Sequence, residues 1–436
     1  MTAGTAQPDW RARRLHFVGI GGAGMSGLAL VCHELGATVT GSDRADSPYM
    51  ERLRAAGIEP VVGHDAASLP EGIEVEVVVS TAIGEDNPEW ALARERGLVE
   101  HHRGELLAEL CRHPGKKLIA IAGAHGKTTT TAMLACILEA AGLAPGFLIG
   151  GIAADFPVSA RLGAGNWFVI EADEYDTAFF DKRSKFVHYR PTIALLNNLE
   201  FDHADIFADL GAIETQFHHL VRTVPRSGAL VVNGAEPALE RVLARGAWTP
   251  VERFLVADGW HERAVVESSE ATDFEVWQGE LMHGRCRLAA AGAHNRANAI
   301  AALAAAARAG VAPADAIAAL AGFGGVRRRL ELRGERAGVS VYDDFAHHPT
   351  AIATTVAGLR ARIGDAARIL AVFEPRSNTM KLGAMAAQLP DSLAQADLAF
   401  CYGAHLGWDA AAALAPMGAR ARVVDDLDAL VAAVIA

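Results

Sequence analysis

A glycine- and threonine-rich stretch, AGAHGKTTTT at residues 122–131, has the residue types and spacing that bind nucleotide phosphates. It follows the apolar run 118–121 and opens a helix-like run at 127–141, which predicts a strand, a glycine turn and a helix N-terminus. Such a terminus presents backbone N–H groups and the positive end of the helix dipole to an anion. The alternative is a glycine-capped turn before a threonine-rich helix.

We interpret this stretch as the site of a nucleoside triphosphate. The lysine after the second glycine supplies a full positive charge, and a hydroxyl beside it can contact the Mg²⁺ that accompanies a polyphosphate. The pattern is the short form G-x-x-G-K-T, because Ile121 occupies the place of the usual first glycine. Five residues are expected to contact the nucleotide and its metal ion: Gly123, Gly126, Lys127, Thr128 and Thr129.

Acidic residues follow the next two predicted strands. The apolar run 167–170 is followed by EADEYD at 171–176, and the run 192–196 is followed by NNLEFDH at 197–203. Carboxylates at the carboxyl ends of parallel strands beside a phosphate loop are well placed to hold Mg²⁺, and Glu171 comes first. A solvated acidic turn is the alternative for the first cluster.

A basic segment, DKRSKF at residues 181–186, separates the two acidic clusters. If its side chains turn toward the site, they would face an anionic substrate. If they turn toward water, the segment is an ordinary solvated run of charges. The sequence leaves these two interpretations open.

A second glycine pattern lies near the start of the chain, in LHFVGIGGAG at residues 15–24. Gly19, Gly21 and Gly24 form GxGxxG after a short apolar strand, and taken alone this suggests a dinucleotide site with Asp43 as the ribose ligand. The phosphate loop a hundred residues later argues against a redox cofactor. The diphosphate of another nucleotide would use the same glycines.

Polar residues also follow predicted strands in the last third of the chain, where alternating strands and helices predict another parallel α/β domain. These residues are the arginines at 327–329, the run DDFAHHP at 343–349 and the run EPRSN at 374–378. Asn295 and Asn298 share one face of an alanine-rich helix, where they could bind a base edge or cap the helix. The HHP triplet alone does not predict a zinc site, because its two imidazoles are sequence neighbours on opposing faces.

Length and composition limit the class of protein. A chain of 436 residues is expected to form three domains, and a net charge of −12 with no long basic run argues against nucleic acid. Neither a transmembrane segment nor an export signal is predicted, so we expect a soluble cytoplasmic protein with no membrane partner. Five cysteines without metal-ligand spacing predict neither a zinc site nor disulfides.

Seven motifs, in this order, resemble those of the Mur ligase family over nearly the whole chain. They are the phosphate loop, EADEYD, NNLEFDH, HNRANA, RRRLE, DDFAHHPT and FEPRSNTMK. The resemblance implies an α/β fold of three domains, each with a largely parallel sheet. The domains would be a Rossmann-like UDP-sugar-binding domain (1–113), a central P-loop ATPase domain (114–322) and a Rossmann-like C-terminal ligase domain (323–436).

The resemblance also implies an ATP-dependent ligase that forms a C–N bond. Within the family, EADEYDTAFFDKRSKFVHY and FEPRSNTMK are similar to the ligase that joins UDP-N-acetylmuramate to L-alanyl-γ-D-glutamyl-meso-diaminopimelate in peptidoglycan recycling. ATP would be the co-substrate, with two Mg²⁺ ions, and the protein would be a monomer or weak dimer. The alternative within the family is UDP-N-acetylmuramate:L-alanine ligase of de novo peptidoglycan synthesis, whose usual motifs differ at Tyr175 and at 376–378.

Residue roles follow from the same resemblance. Lys127 would hold the ATP phosphates, Thr128 the first Mg²⁺, His203 the second Mg²⁺, and Glu171 would be an acidic ligand shared by both. Other residues would bind the nucleotides: Asn298 the adenine, Arg329 the γ-phosphate side, Asp344 the ATP ribose, the glycines Gly19, Gly21, Gly22 and Gly24 the UDP diphosphate, and Ser42 and Asp43 the uridine.

At the amine end, the resemblance implies that Arg376, Ser377 and Asn378 contact the carboxylates of the incoming peptide. His348 is a candidate for removing the proton of the amine, with a structural role as the alternative. Two departures from the family are visible. No lysine occurs at 204–221, where some members carry a carbamylated one, so the second metal would depend on His203, water and phosphate; and relatives usually continue beyond Ala436 with a strand and a glycine-rich loop.

Two interpretations from other classes make different predictions. A nicotinamide dehydrogenase built on the first glycine motif would bind NADH, but the phosphate loop at 122–131 and both acidic clusters would then have no function. A nucleotide-binding regulator without ligase activity would bind ATP without turnover.

Overall fold

The computed structural model describes residues 9–178, 181–202 and 206–436. The first five strands form a parallel sheet in the order β3-β2-β1-β4-β5. They are β1 (Arg14–Val18), β2 (Thr38–Asp43), β3 (Val61–Val62), β4 (Val75–Val79) and β5 (Val99–His102). The helices that connect them are α1 (Ala23–Glu34), α2 (Pro48–Ala55), α3 (Pro88–Glu95) and α4 (Arg103–Cys111).

Helix starts in this first unit follow ordinary capping chemistry. Ser47 accepts a hydrogen bond from the backbone of Met50 at the start of α2, and Pro48 occupies a first-turn position. Asn87 caps α3 in the same way. Because β1 and β2 pair in parallel, their carboxyl ends and the loops after them lie at one edge of the sheet.

The middle of the chain forms a sheet of ten strands within the described residues, in the order β17-β16-β15-β14-β13-β12-β6-β9-β7-β8. Its strands are β6 (Lys117–Ala122), β7 (Gly146–Leu148), β8 (Ala160–Arg161), β9 (Trp167–Ala172), β12 (Ile193–Leu196), β13 (Ala229–Asn233), β14 (Val251–Phe254), β15 (Trp260–Glu267), β16 (Thr272–Gln278) and β17 (Leu281–Leu288). A separate antiparallel pair is formed by β10 (Asp176–Ala178) and β11 (Asp181–Ser184).

Helices cover this large sheet. They are α5 (Lys127–Ala140), α6 (Leu210–Thr223), α7 (Pro237–Ala244), α8 (Ala293–Arg308) and α9 (Pro313–Leu320). In α8 every residue from Asn298 to Ala306 is buried, because its alanines let it pack closely against α5 and the sheet. Parallel pairing of β6 with β9 and β12 brings the phosphate loop and both acidic clusters to one edge.

The residues after 326 form an antiparallel hairpin and a separate parallel sheet. The hairpin is β18 (Glu331–Arg336) with β19 (Val339–Asp343), and the parallel sheet is β20 (Leu370–Phe373), β21 (Leu398–Tyr402) and β22 (Ala421–Val424). Only two residues separate β18 from β19, so the two strands pair antiparallel through a tight turn, contrary to the parallel arrangement expected for this part of the chain. The helices are α10 (Pro349–Ile363), α11 (Asn378–Lys381), α12 (Leu389–Ser392), α13 (Ala410–Leu414) and α14 (Leu427–Ile435).

Short 3₁₀ helices complete the described structure, at Trp10–Ala12, Ala66–Ser68, Lys185–His188, Ala386–Gln388 and Ala415–Arg420. In the part of the chain that the structure describes, no helix combines the length and apolar character needed to cross a membrane. All five cysteines are free thiols, and four of them are buried, as expected for small apolar side chains.

Candidate active site

The phosphate loop has the backbone that its sequence predicts. Gly123 has φ +153° and Gly126 has φ +79°, both in the region that favours glycine, and α5 begins immediately afterward at Lys127. Neighbouring asparagines hold the turn: the His125 N–H donates to Asn198 Oδ1 at 2.8 Å, and Asn197 Nδ2 donates to the His125 carbonyl at 3.1 Å. The loop is therefore supported from β12.

Asn298 lies directly beside this loop. Its amide oxygen accepts hydrogen bonds from Thr130 Oγ1 at 3.1 Å and from Asn197 Nδ2 at 3.0 Å. A side chain at Gly126 would collide with Asn298 and Asn197, so glycine is required there for packing as well as for backbone conformation. In this structure Asn298 is a buried support of the phosphate loop, and its contact with adenine stays a prediction.

Lys127 faces a group of carboxylates. Its Nζ donates to the Gly123 carbonyl at 2.6 Å and lies 3.5 Å from both Asp173 Oδ1 and Glu174 Oε2. Burial lowers the pKa of Lys127, but the negative charges of Glu174, Asp173 and Glu171 outweigh it, and the net shift is upward. The ammonium is therefore fully charged at neutral pH, as contact with polyphosphate requires.

Thr128 and Glu171 form a set of oxygen donors beside the loop. Thr128 Oγ1 donates to Glu171 Oε2 at 3.2 Å, and the Glu171 carboxylate also accepts from the Gly150 N–H. Burial, together with the neighbouring Asp173, raises the pKa of Glu171 to about 7. A cation would stabilise this carboxylate, and hydroxyl and carboxylate oxygens are the donors that Mg²⁺ prefers, so these residues fit a magnesium ion.

Arg329 reaches this group from the segment before β18, since its Nη2 lies 3.3 Å from Thr128 Oγ1. The side chain of Thr129 is buried in the first turn of α5. His203, predicted as a ligand of a second metal ion, lies outside the described residues. The second acidic cluster is thus described only as far as Asp202.

The first glycine motif forms a second turn, at the end of β1. Gly19 has φ +81°, and the Gly19 N–H donates to the Ser42 carbonyl at 2.8 Å. Gly21 N–H donates to Asp43 Oδ2 at 2.8 Å, so the Asp43 carboxylate supports the turn. Gly22 is the N-cap of α1, which presents its first N–H groups on the same side.

Arg103, the first residue of α4, lies against this glycine turn. A side chain at Gly24 would collide with the Arg103 guanidinium, so only glycine lets the arginine approach the start of α1. The arginine adds a positive charge where the glycines could receive a diphosphate. Arg103 belongs to none of the sequence motifs, because the residues next to it in the sequence follow no recognisable pattern.

A buried polar network lies behind the glycine turn. The Glu89 carboxylate bonds Ser42 Oγ at 2.6 Å, His16 Nε2 at 2.7 Å and His64 Nδ1 at 2.8 Å. Glu89 is fully buried, and although burial raises its pKa, the hydrogen bonds from His16, Ser42 and His64 lower it overall. Sequence reasoning found Ser42 but missed the other three residues, which come from separate strands, loops and helices.

Two side chains in the segment after β19 fix the local backbone by hydrogen bonds. Asp344 accepts hydrogen bonds from the N–H groups of Leu330 and Ala346, both at 2.7 Å, and so fixes its own turn. His348 caps α10 by accepting from the Thr350 N–H. Burial and the nearby His125 lower the pKa of His348, which favours the neutral imidazole.

His348 also takes part in a cluster with His125 and Glu200. The His125 and His348 rings are 4.8 Å apart, and Glu200 Oε2 lies 3.3 Å from His125 Nε2 and 3.6 Å from His348 Nδ1. Thr350 Oγ1 donates to the same Glu200 oxygen at 2.7 Å. Since His125 belongs to the phosphate loop, this cluster connects the loop to α10.

The predicted peptide contacts lie at the start of α11. Ser377 caps this helix by accepting from the Met380 N–H, and its hydroxyl lies 3.4 Å from the His347 carbonyl. Arg376 is exposed, and Asn378 is the first residue of the helix. Their position after β20 agrees with the expected strand-end location, and their contact with a peptide stays a prediction.

Comparison with known proteins identifies the class. Three family models match the chain: the Mur ligase family catalytic domain over residues 14–114, the Mur ligase middle domain over 121–306, and the Mur ligase glutamate ligase domain over 328–436. The chain belongs to the Mur ligase family. Members are ATP-dependent ligases that form C–N bonds and generally use Mg²⁺.

Individual relatives are similar over most of their length. UDP-N-acetylmuramate–L-alanyl-γ-D-glutamyl-meso-2,6-diaminoheptandioate ligase of Escherichia coli is 47% identical over 400 residues, covering 91% of this chain and 87% of the relative. The crystal structure of a murein peptide ligase from Psychrobacter arcticus is 38% identical with a TM-score of 0.74, covering 97% of this chain and 92% of that one. UDP-N-acetylmuramate-alanine ligase MurC from Thermotoga maritima is 25% identical with a TM-score of 0.80, covering 96% and 91%.

Proposed function

We propose that this protein joins the carboxylate of UDP-N-acetylmuramate to the amine of L-alanyl-γ-D-glutamyl-meso-diaminopimelate at the expense of ATP. The observation that carries the proposal is the 47% identity, over 91% of the chain, to the Escherichia coli ligase named for this substrate pair. The tripeptide is a cell-wall fragment, so the reaction would return it to a peptidoglycan precursor in the cytoplasm.

The arrangement of charges supports this chemistry. A carboxylate is a poor electrophile, so its oxygen first attacks the γ-phosphorus of ATP; the bond to the β–γ bridging oxygen breaks, and ADP leaves with the electron pair. The peptide amine then attacks the acyl carbon and loses a proton, and inorganic phosphate leaves. Lys127 would neutralise the γ-phosphate. His348 is the candidate acceptor of the amine proton, and it would accept it at Nδ1 once the Thr350 N–H has released that atom, because a neutral imidazole that accepts at Nδ1 carries its own proton on Nε2.

Metal binding would depend on Thr128 and Glu171, with His203 for a second ion. Bound Mg²⁺ would neutralise the phosphate oxygens and favour transfer of the phosphoryl group. Arg329 beside Thr128 would add charge on the γ-phosphate side, while Asn298 and Asp344 would bind the adenine and the ribose. These roles are the ones that the resemblance to the family implies, and the contacts of Thr128 with Glu171 and Arg329 beside the loop support them.

We assign the three parts of the chain accordingly. Residues 1–113 would bind the UDP-sugar, 114–322 would bind ATP, and 323–436 would bring the peptide. Gly19, Gly21, Gly22 and Gly24 would hold the diphosphate, with Ser42 and Asp43 near the uridine; Arg376, Ser377 and Asn378 would contact the peptide carboxylates.

UDP-N-acetylmuramate:L-alanine ligase is the second candidate. The TM-score of 0.80 to the Thermotoga maritima alanine ligase exceeds the 0.74 to the Psychrobacter arcticus murein peptide ligase, so the backbone is compatible with either activity. Sequence identity runs the other way, at 38% against 25%. The two candidates share the UDP-sugar and ATP and differ only in the amine.

A phosphate-release assay separates the candidates. The protein is mixed with ATP, Mg²⁺ and UDP-N-acetylmuramate, together with either L-alanine or the tripeptide, and the product mass is measured. Turnover with the tripeptide alone is expected. Turnover with L-alanine alone would replace the first candidate by the second, and turnover with neither would contradict both.

Two lysine variants control this assay. Lys127→Met removes the phosphate lysine and should lower kcat at least about 100-fold, the usual cost of losing a charge-stabilising group. Lys117→Met removes an exposed lysine at the start of β6, the end of that strand away from the phosphate loop, and should leave kcat unchanged. Equal activities of the two variants would refute the assignment of Lys127.

A further inference from the structure

Lys185 is a buried lysine in the basic segment 181–186. Its side chain is only 4% exposed, although a lysine normally keeps its ammonium in water. Burial and the nearby Arg103 lower the pKa of Lys185 to about 8. Asp173 and Glu174 favour the charged form but do not offset the cost of burial, and a charge kept at such a position indicates a specific use.

Asp173 connects Lys185 to the phosphate lysine. One oxygen of its carboxylate, Oδ1, lies 3.5 Å from Lys127 Nζ, and the other, Oδ2, lies 3.8 Å from Lys185 Nζ. The Lys185 ammonium also lies 5.3 Å from the centre of the Tyr175 ring. Lys185 is therefore fixed next to the position where the γ-phosphate of ATP would meet Lys127.

Arg103 connects the same lysine to the glycine turn of the first sheet. Its guanidinium packs against Gly24 and is close enough to Lys185 to lower the pKa of the lysine. Arg103, Lys185 and Lys127 thus form a series of positive charges from the glycine turn at the end of β1 to the phosphate loop at the end of β6.

This series matches the charges of an extended substrate. A nucleotide sugar whose diphosphate binds the glycine turn and whose carboxylate must reach the γ-phosphate would run along it. Of the three cations, Arg103 faces the diphosphate of the nucleotide sugar and Lys127 faces the phosphates of ATP, which leaves Lys185 without a phosphate partner. A substrate carboxylate matches Lys185, because the ammonium offsets the repulsion that Asp173 and Glu174 would otherwise exert on a second anion.

We propose that Lys185 binds the carboxylate of the nucleotide-sugar substrate and holds its oxygen in line with the γ-phosphorus. This deepens the proposed function and depends on it. When the carboxylate oxygen bonds to phosphorus and ADP departs, the acyl phosphate keeps its negative charge on the phosphoryl oxygens, and Lys185 and Lys127 neutralise it from two sides. Lys185 takes up and releases no proton in this step.

The test compares two ligands that differ in the carboxylate. UDP-N-acetylmuramate and UDP-N-acetylglucosamine share the nucleotide and sugar, but the second lacks the lactyl acid. Their dissociation constants are measured by calorimetry with Mg²⁺ and a non-hydrolysable ATP analogue, for the wild type, Lys185→Gln and the exposed-lysine control Lys117→Gln.

We expect Lys185→Gln to raise the dissociation constant of UDP-N-acetylmuramate at least about 10-fold, the effect of removing one charge-assisted bond. The dissociation constant of UDP-N-acetylglucosamine should change less than about 2-fold. Lys117→Gln should change neither dissociation constant. If Lys185 had a purely structural role, its replacement would weaken the binding of both ligands to the same extent. Equal losses for the two ligands, or an unchanged ratio, would overturn the proposal.

Two further results distinguish failure of this inference from failure of the proposed function. If the wild type does not prefer the acid-bearing ligand, the proposed substrate is wrong and the inference falls with it. If Lys185→Gln does not fold, as judged by its circular dichroism spectrum, Lys185→Met, which keeps the aliphatic part of the side chain, is measured instead. Hydroxylamine trapping of the acyl phosphate should fall in parallel with the affinity for the acid.

Discussion

Thr379 Oγ1 donates a 2.8 Å hydrogen bond to Asp202 Oδ1, and the two residues are only 2% and 5% exposed. Thr379 lies in α11, beside the predicted peptide contacts, and Asp202 lies in the acidic cluster after β12. This bond therefore fixes the start of α11 to the edge of the central sheet that carries the phosphate loop.

Thr379→Val should lower the free energy of unfolding by about 1–3 kcal/mol, because it leaves a buried carboxylate with one donor fewer. Denaturant unfolding measures the change. Thr354→Val is the control, since the Thr354 hydroxyl bonds to the Ala351 carbonyl of its own helix. Equal stabilities of the two variants would contradict a tertiary role for the Thr379 bond.

Glu89→Gln should raise the KM for UDP-N-acetylmuramate about 3- to 10-fold and leave the KM for ATP unchanged. Glutamine cannot accept from Ser42, His16 and His64 together, so the support of the turn after β1 is weakened at a cost of about 1 kcal/mol. Steady-state kinetics with each substrate varied in turn measures the effect. Glu100→Gln, at an exposed glutamate, is the control, and a matching rise in the KM for ATP would refute the local role.

Glu76 should make stability depend on acid pH. Burial alone would raise the pKa of Glu76, but the hydrogen bonds from His101 and Arg13 have the larger effect and lower it from the ordinary 4.5 to about 2. Because the folded pKa is the lower one, ionised Glu76 stabilises the fold above about pH 4.5, and this contribution is lost as the pH falls toward 2.

The measurement is the unfolding free energy of wild type and Glu76→Gln at several pH values. The advantage of the wild type should be fully present at pH 6 and should shrink as the pH falls from about 4.5 toward 2. Glu59→Gln, at an exposed glutamate, should show a difference that varies little with pH. A constant difference for Glu76→Gln would refute the ion-pair explanation.

Arg376→Ala should raise the KM for the tripeptide at least about 10-fold, because a guanidinium can bind a peptide carboxylate with two hydrogen bonds. The KM for ATP should stay within about 2-fold. Arg368→Ala, another arginine of the same part of the chain, is the control. Equal effects of Arg376→Ala on both substrates would refute a peptide contact.

Local sequence patterns predicted the strand, turn and helix at the phosphate loop, the glycine turn after β1, and the acidic clusters at strand ends. These succeed because glycine conformation, helix starts and apolar strands depend on near neighbours. The strands between residues 251 and 288 were not ordered from sequence. Strands β15 and β17 show no regular alternation of buried and exposed residues along their length, and two register shifts interrupt their pairing with β16.

The sequence by itself determined the phosphate loop, the order of its motifs and, through them, the family to which the chain belongs. Only the tertiary structure decided which charges of 181–186 leave the solvent: Lys185 is buried between Asp173 and Tyr175, while Arg183 is exposed. It alone brought Glu89 to His16, 73 residues away, and Glu200 to His125, 75 residues away. Such contacts depend on the pairing of distant strands and on burial, which a local pattern of residues does not encode.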